Sequence, residues 1–161
     1  MKPIVAILMG SDSDEPALKP CAEVLRQLGI PFIAKVLSAH RTPDEAVHFV
    51  KAAKKNGIEV IIAAAGGAAH LAGVTAANTL LPVIGIPVET SSFKGMDSLL
   101  STVQMPAGTP VATVAVGSGG VRNAAFLAAR ILALKDARIE KALEKYKNDN
   151  RKKILSKEST L

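Results

Sequence analysis

Five short apolar runs, at residues 4–9, 32–37, 60–65, 83–88 and 111–116, recur along this chain with helix-patterned segments between them. Each is too short for a helix and too continuously apolar for a strand with one wet face, which marks buried strands. The first intervening segment, residues 14–28, puts Leu18, Cys21, Ala22, Leu25 and Leu28 on one helical face and stops at Gly29. The others run over residues 43–55, closed by Asn56-Gly57, and over 69–80, 96–104 and 121–134. Strand and helix alternating at these lengths require right-handed crossovers, hence a parallel sheet with helices on both faces. Pro20 removes a donor inside the first helix and is expected to kink or delay it. The pattern does not give the strand order.

A chain of 161 residues builds one such domain with a real core. We expect an α/β catalytic domain over residues 1–135 and a C-terminal helix and tail over 136–161, packing on that domain or on a neighbouring subunit. The net charge of +6 is concentrated there, where residues 135–161 hold nine Lys/Arg against five Asp/Glu. With no Trp, one Tyr and four Phe, a base-stacking surface is hard to assemble, so we expect no nucleic-acid partner. No apolar run approaches the roughly 18 residues of a membrane span. The single cysteine, Cys21, excludes an internal disulfide and fits a reducing compartment, with the cytoplasm the expected location.

In an open α/β sheet, ligands bind beyond the carboxyl ends of the strands. Those ends here are residues 10–14 (Gly-Ser-Asp-Ser-Asp), 38–41 (Ser-Ala-His-Arg), 66–70 (Gly-Gly-Ala-Ala-His), 89–91 (Glu-Thr-Ser) and 117–120 (Gly-Ser-Gly-Gly). The glycine- and serine-rich turns among them lead into helix N-termini, where free N–H groups favour anions such as phosphate. The second end carries most information. Phe32, Ile33, Ala34, Val36 and Leu37, interrupted only by Lys35, read as a mostly buried strand; Thr42 and Glu45 then suggest a capping box, with Pro43 at the first helical position. This fixes His40 and Arg41 on a strand-to-helix turn, one as a proton carrier and the other as a bidentate anion anchor. Ser13 or Asp14 can cap the first helix, and Asp14 can also accept hydrogen bonds from ribose hydroxyls. His70 fits an interior histidine, a ligand contact or a supporting donor; His48, mid-helix, reads as structural. There is no P-loop, dinucleotide fingerprint, nucleophile elbow or histidine-cysteine metal spacing in the sequence. The polar segment 89–94 is of a kind that can cover a site.

Four ordered blocks carry a family resemblance: residues 10–14, 38–43 (Ser-Ala-His-Arg-Thr-Pro), 65–71 (Ala-Gly-Gly-Ala-Ala-His-Leu) and 101–106 (Ser-Thr-Val-Gln-Met-Pro). Over about residues 3–145 the chain resembles the PurE family, which contains the N5-carboxyaminoimidazole ribonucleotide mutases of purine synthesis. Arg41 after the histidine and the Gln104-Met105-Pro106 block resemble the bacterial mutase class; the class using CO2 directly, the aminoimidazole ribonucleotide carboxylases, has Lys after the histidine. The resemblance implies His40 as catalytic acid–base and Ser11, Asp14 and Arg41 as substrate-binding residues, with Arg41 on the phosphate and Asp14 on the ribose. Ser38, Ala65, Gly66, Ala69, His70 and Leu71 would line the nucleotide pocket. It further implies a small ribonucleotide substrate, no metal or organic cofactor, and a homo-octamer. The expected fold is a three-layer α/β/α sandwich with a parallel, flavodoxin-like sheet. Two departures keep small size: Leu71-Ala72-Gly73 replaces the usual Leu-Pro-Gly, and Ala64-Ala65-Gly66-Gly67 the usual Gly-Ala-Gly-Gly. The rival reading from another class is a non-catalytic phosphoribosyl-ligand or nucleic-acid-binding module, motivated by the basic tail.

Overall fold

The computed structural model describes residues 2–157, so residues 158–161 of the expected tail lie outside the described part. Five parallel strands, β1 (Val5–Met9), β2 (Phe32–Val36), β3 (Val60–Gly66), β4 (Val83–Val88) and β5 (Ala112–Thr113), form one sheet in the order β2-β1-β3-β4-β5. This is the flavodoxin-like order, which reverses between β1 and β3. Alternate residues of each strand point to opposite faces. Val5, Ile7 and Met9 therefore enter one core with α1 (Glu15–Gln27) and α5 (Ser118–Ala133), whereas Ala6 and Leu8 enter a second core with α2 (Pro43–Ala53) and α3 (Leu71–Ala77). The helix α4 (Met96–Val103) packs beside β4 and β5. The last helix, α6 (Ala137–Leu155), lies on α5 through Ile139, Ala142, Leu143 and Tyr146.

Small residues let α5 approach the sheet closely. Ala124, Ala125, Ala128 and Ala129 are fully buried, and a Cβ at Gly120 would collide with the Ala115 carbonyl. Pro20 does not break α1, which runs unbroken from Glu15. The carbonyl it leaves without an intrahelical partner is that of Pro16, at the exposed first turn, where water can satisfy it.

Several expected boundaries shift. β2 is a half-covered edge strand, with Ala34, Lys35 and Val36 exposed, because its sole neighbour in the sheet is β1. The fifth run pairs over Ala112–Thr113 alone, on the other edge, and Val114 N still donates to Gly85 O at 3.0 Å. α3 occupies the middle of the expected 69–80, and α5 starts earlier than expected, at Ser118 in the glycine-rich turn. No described helix is long and apolar enough to cross a membrane.

Candidate active site

An open cavity of about 470 Å³ lies over the carboxyl ends of β2, β1, β3 and β4, astride the switch in strand order. Of the sequence-predicted residues, Ser11, Asp14, Ser38, His40, Arg41, Ala65, Gly66, His70 and Leu71 line it. Ala69 does not reach the lining; it is 1% exposed and buried under the turn before α3. The turn 117–120 is not among the lining residues either.

The His40-Arg41 turn is built differently from the expected capping box. Thr42 makes no side-chain bond to its own helix; its Oγ1 accepts from Ser38 N at 2.9 Å and donates to Ser38 O at 3.2 Å. The hydroxyl is drawn back because these two bonds, with Thr42 N donating to Ser38 O at 3.0 Å, close the turn itself. Ser38 completes it from the inside. Its Oγ, 8% exposed as a residue, accepts from His40 N at 3.3 Å and Arg41 N at 3.1 Å. The His40 and Arg41 side chains thus stand on a backbone with little freedom.

His40 is exposed at the cavity mouth, and its Nε2 lies 2.8 Å from His70 Nδ1, with the rings edge to face. Such a contact holds one proton between the two nitrogens, so either ring can be the donor. Arg41 spends its guanidinium on neutral acceptors: Nη2 donates to Gly10 O at 2.6 Å and Nε to Ser38 Oγ at 3.4 Å. Among the described residues no carboxylate forms an ion pair with it, so its charge remains available to an anion.

Asp14 forms the true capping box of this region. Ser11 Oγ accepts from Ser13 N at 3.4 Å, and Asp14 Oδ2 accepts from Ser11 N at 3.1 Å, closing the short 3-10 helix Asp12–Asp14 ahead of α1. Burial raises the Asp14 carboxyl above its ordinary value, against the Ser11 N–H and the Arg41 charge, which lower it, while Asp12 adds to the rise. A buried carboxylate with unfilled acceptor positions suits hydroxyl donors.

Gly10, Ser13, Ala39, Gly67, Ala68 and Thr90 also line the cavity, although sequence reasoning did not select them. All stand at strand ends, which was the available signal. Among the described residues, no three His, Cys, Asp or Glu side chains are arranged to hold a metal ion.

With this geometry in place, similarity to known proteins is decisive. The AIR carboxylase family model matches residues 4–153. The chain belongs to the AIR carboxylase family. Within reach of that family, a Pyrococcus horikoshii protein named N5-carboxyaminoimidazole ribonucleotide mutase is 51% identical over 160 residues, covering 99% of this chain and 89% of its own length. A Bacillus subtilis protein of the same name is 48% identical over 161 residues, covering 100% of this chain and 99% of its own. The crystal structure of Treponema denticola PurE superposes with a TM-score of 0.84 at 32% identity, over 95% of this chain and 94% of that one. The PurE resemblance read from four motifs therefore extends over the whole fold of this family member.

Proposed function

We infer that this family member is an N5-carboxyaminoimidazole ribonucleotide mutase, an isomerase of purine biosynthesis. The observation that carries the reading is identity of about half, over essentially the full chain, to proteins of that name from archaeal and bacterial species. The cavity offers side chains suited to this reaction. Arg41, with Ser11 beside the helix start, anchors the phosphate, and the buried Asp14 accepts from the ribose.

The carboxyl group leaves the exocyclic N5 as CO2, and the electron pair of the broken N–C bond is captured on nitrogen with a proton. C4 of the electron-rich imidazole then attacks the retained CO2, and the sp3 carbon so formed loses its proton to restore aromaticity. His40 performs both proton transfers, giving to nitrogen and taking from carbon, since an imidazole serves as acid in one step and as base in the next. Its place on a rigid turn within one cavity favours the second transfer over diffusion of CO2 into water. Gly66 and Ala65, with no bulk above the sheet, leave room for the flat ring.

The assembled form is a homo-octamer acting in the cytoplasm. Met96, Leu100 and Val103 form an exposed apolar row along α4, with exposed Phe93 before it, which supports association between subunits. The C-terminal helix packs on the domain, through α5, or on a neighbouring subunit. Light scattering checks the octamer.

The deciding assay follows purified protein with N5-carboxyaminoimidazole ribonucleotide and, separately, with aminoimidazole ribonucleotide plus bicarbonate. Conversion of the first alone supports the mutase; efficient turnover of the second would make the protein the direct carboxylase for which the family is described. Salt-sensitive RNA or DNA binding, lost on deleting residues 147–161, in a protein inert in both assays would favour the non-catalytic module.

A further inference from the structure

Thr90 lines the cavity two residues beyond the end of β4, and its hydroxyl is turned away from the sheet toward α4. Thr90 Oγ1 lies 3.0 Å and 3.2 Å from the two carboxylate oxygens of Asp97, in the first turn of that helix. This donor and acceptor are both half-buried. The bond decides which way the β-branched side chain faces, and therefore where its methyl points. That methyl stands over Gly66: a Cβ at Gly66 would come within 3.1 Å of Thr90 Cγ2. Four residues further along α4, Ser101 gives its hydroxyl proton to Asp97 O at 2.5 Å and only touches Gly67 O, at 3.5 Å. The adjacent Ser98, fully buried, has its Oγ 2.7 Å from Val88 O and 3.0 Å from Gly95 O, so one hydroxyl bridges the two flanks of the loop 89–95.

The first turn of α4 thus holds the strand end after β4, and the Thr90 methyl carries that hold to Gly66, at the end of β3. Sheet order puts these ends, after β3 and β4, away from Arg41 on the turn after β2, and His40 reaches toward them through its 2.8 Å contact with His70, which follows β3. We propose that Asp97 is a positioning residue for the reaction: acting through the Thr90 hydroxyl, it fixes the Thr90–Gly66 wall that confines the reacting end of the substrate. It rests on the mutase reading of the site. Asp97 itself does not line the cavity and touches no reacting atom. Because the anchors Arg41 and Asp14 lie on the other side, loosening this wall costs turnover more than affinity.

The test is a four-member cycle of wild type, Thr90→Val, Asp97→Ala and the double variant, assayed for kcat and KM with melting temperature recorded. Val keeps the shape of Thr and removes the donor. Each single change is expected to lower kcat about tenfold, on the order of one charge-assisted hydrogen bond, with KM within about threefold. The double variant should be no slower than the worse single, since both remove the same bond. Asp97→Asn, which keeps an acceptor oxygen, should restore most of the kcat lost in Asp97→Ala. Unchanged kcat in both singles, or losses that multiply in the double, overturns the proposal. So does a fall in melting temperature with wild-type kcat, which is what a purely structural bond gives. Where Asp97→Ala does not fold, Thr90→Val decides alone by the same kcat criterion. A wild type without mutase turnover, checked in parallel, is a failure of the functional reading itself and takes the proposal with it.

Discussion

At the amino-terminal end of the strands, Asp136 and Arg138 close on each other, with Arg138 Nε 3.2 Å from Oδ1 and Nη2 2.8 Å from Oδ2. At the carboxyl end, Asp14 and Arg41 share a cavity but direct their bonds to backbone and to a serine hydroxyl. The consequences for the two carboxyls are opposite. The Arg138 side chain and backbone N–H hold Asp136 down at about 2, where it caps α6. Burial pushes Asp14 up. Glu59 and Lys135, beside Asp136, are likewise committed to each other at 2.7 Å, as an ion pair not aligned as a hydrogen bond. Charge types are the same at both ends; what differs is whether each charge is bonded to an opposite charge or only to neutral groups. Uncommitted charge on a rigid backbone marks the end that can bind something else.

The sharpest way to break this contrast is at His40. His40→Asn should lower mutase turnover by on the order of 10³-fold, the range for losing a general acid–base, without lowering the melting temperature of this exposed position. Steady-state assays with a thermal melt check both halves. Asp14→Asn comes next, with kcat/KM expected to fall about 10- to 100-fold as a charged acceptor is lost. The same change should raise stability at neutral pH. A carboxyl raised in the folded state costs nothing below its unfolded value near 3.9, and the cost grows as pH rises through the folded value. Melting curves of wild type and variant should therefore coincide in acid and separate toward neutrality, with the variant higher.

The opposite end should behave in reverse. Asp136→Asn should leave kcat/KM unchanged and lower the melting temperature at pH 7. Since Asp136 is depressed to about 2, its contribution is present above the unfolded value near 3.9 and vanishes as pH falls toward 2. Melts across that range check the sign. The smallest effect belongs to Lys135→Met: activity unchanged and stability moved by less than about 1 kcal/mol in a denaturant titration, because the Lys135 side chain is 65% exposed.

The sheet and its helices were legible because buried parallel strands need unbroken apolar runs, and five such runs stand in the sequence. The edges were less so. Val36 reads as core by composition yet is 51% exposed, since only strand order tells which run lacks a second neighbour. At the site, four of the five strand ends read from the sequence line the cavity and the turn 117–120 does not, while the family resemblance supplied the chemistry that spacing could not. Local bonding was harder to foresee. Thr42 carries a capping-box signature but closes the Ser38 turn instead, whereas Ser11 and Asp14 make the real box. The His40–His70 contact joins residues 30 positions apart, and no local pattern encodes it. Thr90 was visible as a strand end, but its tie to Asp97 depends on how α4 packs against β4.

That uncommitted charge at the carboxyl end of the sheet binds the ligand is read directly by hydrogen–deuterium exchange with and without 4-carboxyaminoimidazole ribonucleotide. Protection is predicted over residues 10–14, 38–42, 66–71 and 89–91, with no change over 56–60 or 134–139. Protection confined to residues 56–60 and 134–139, or absent from 38–42, would contradict it.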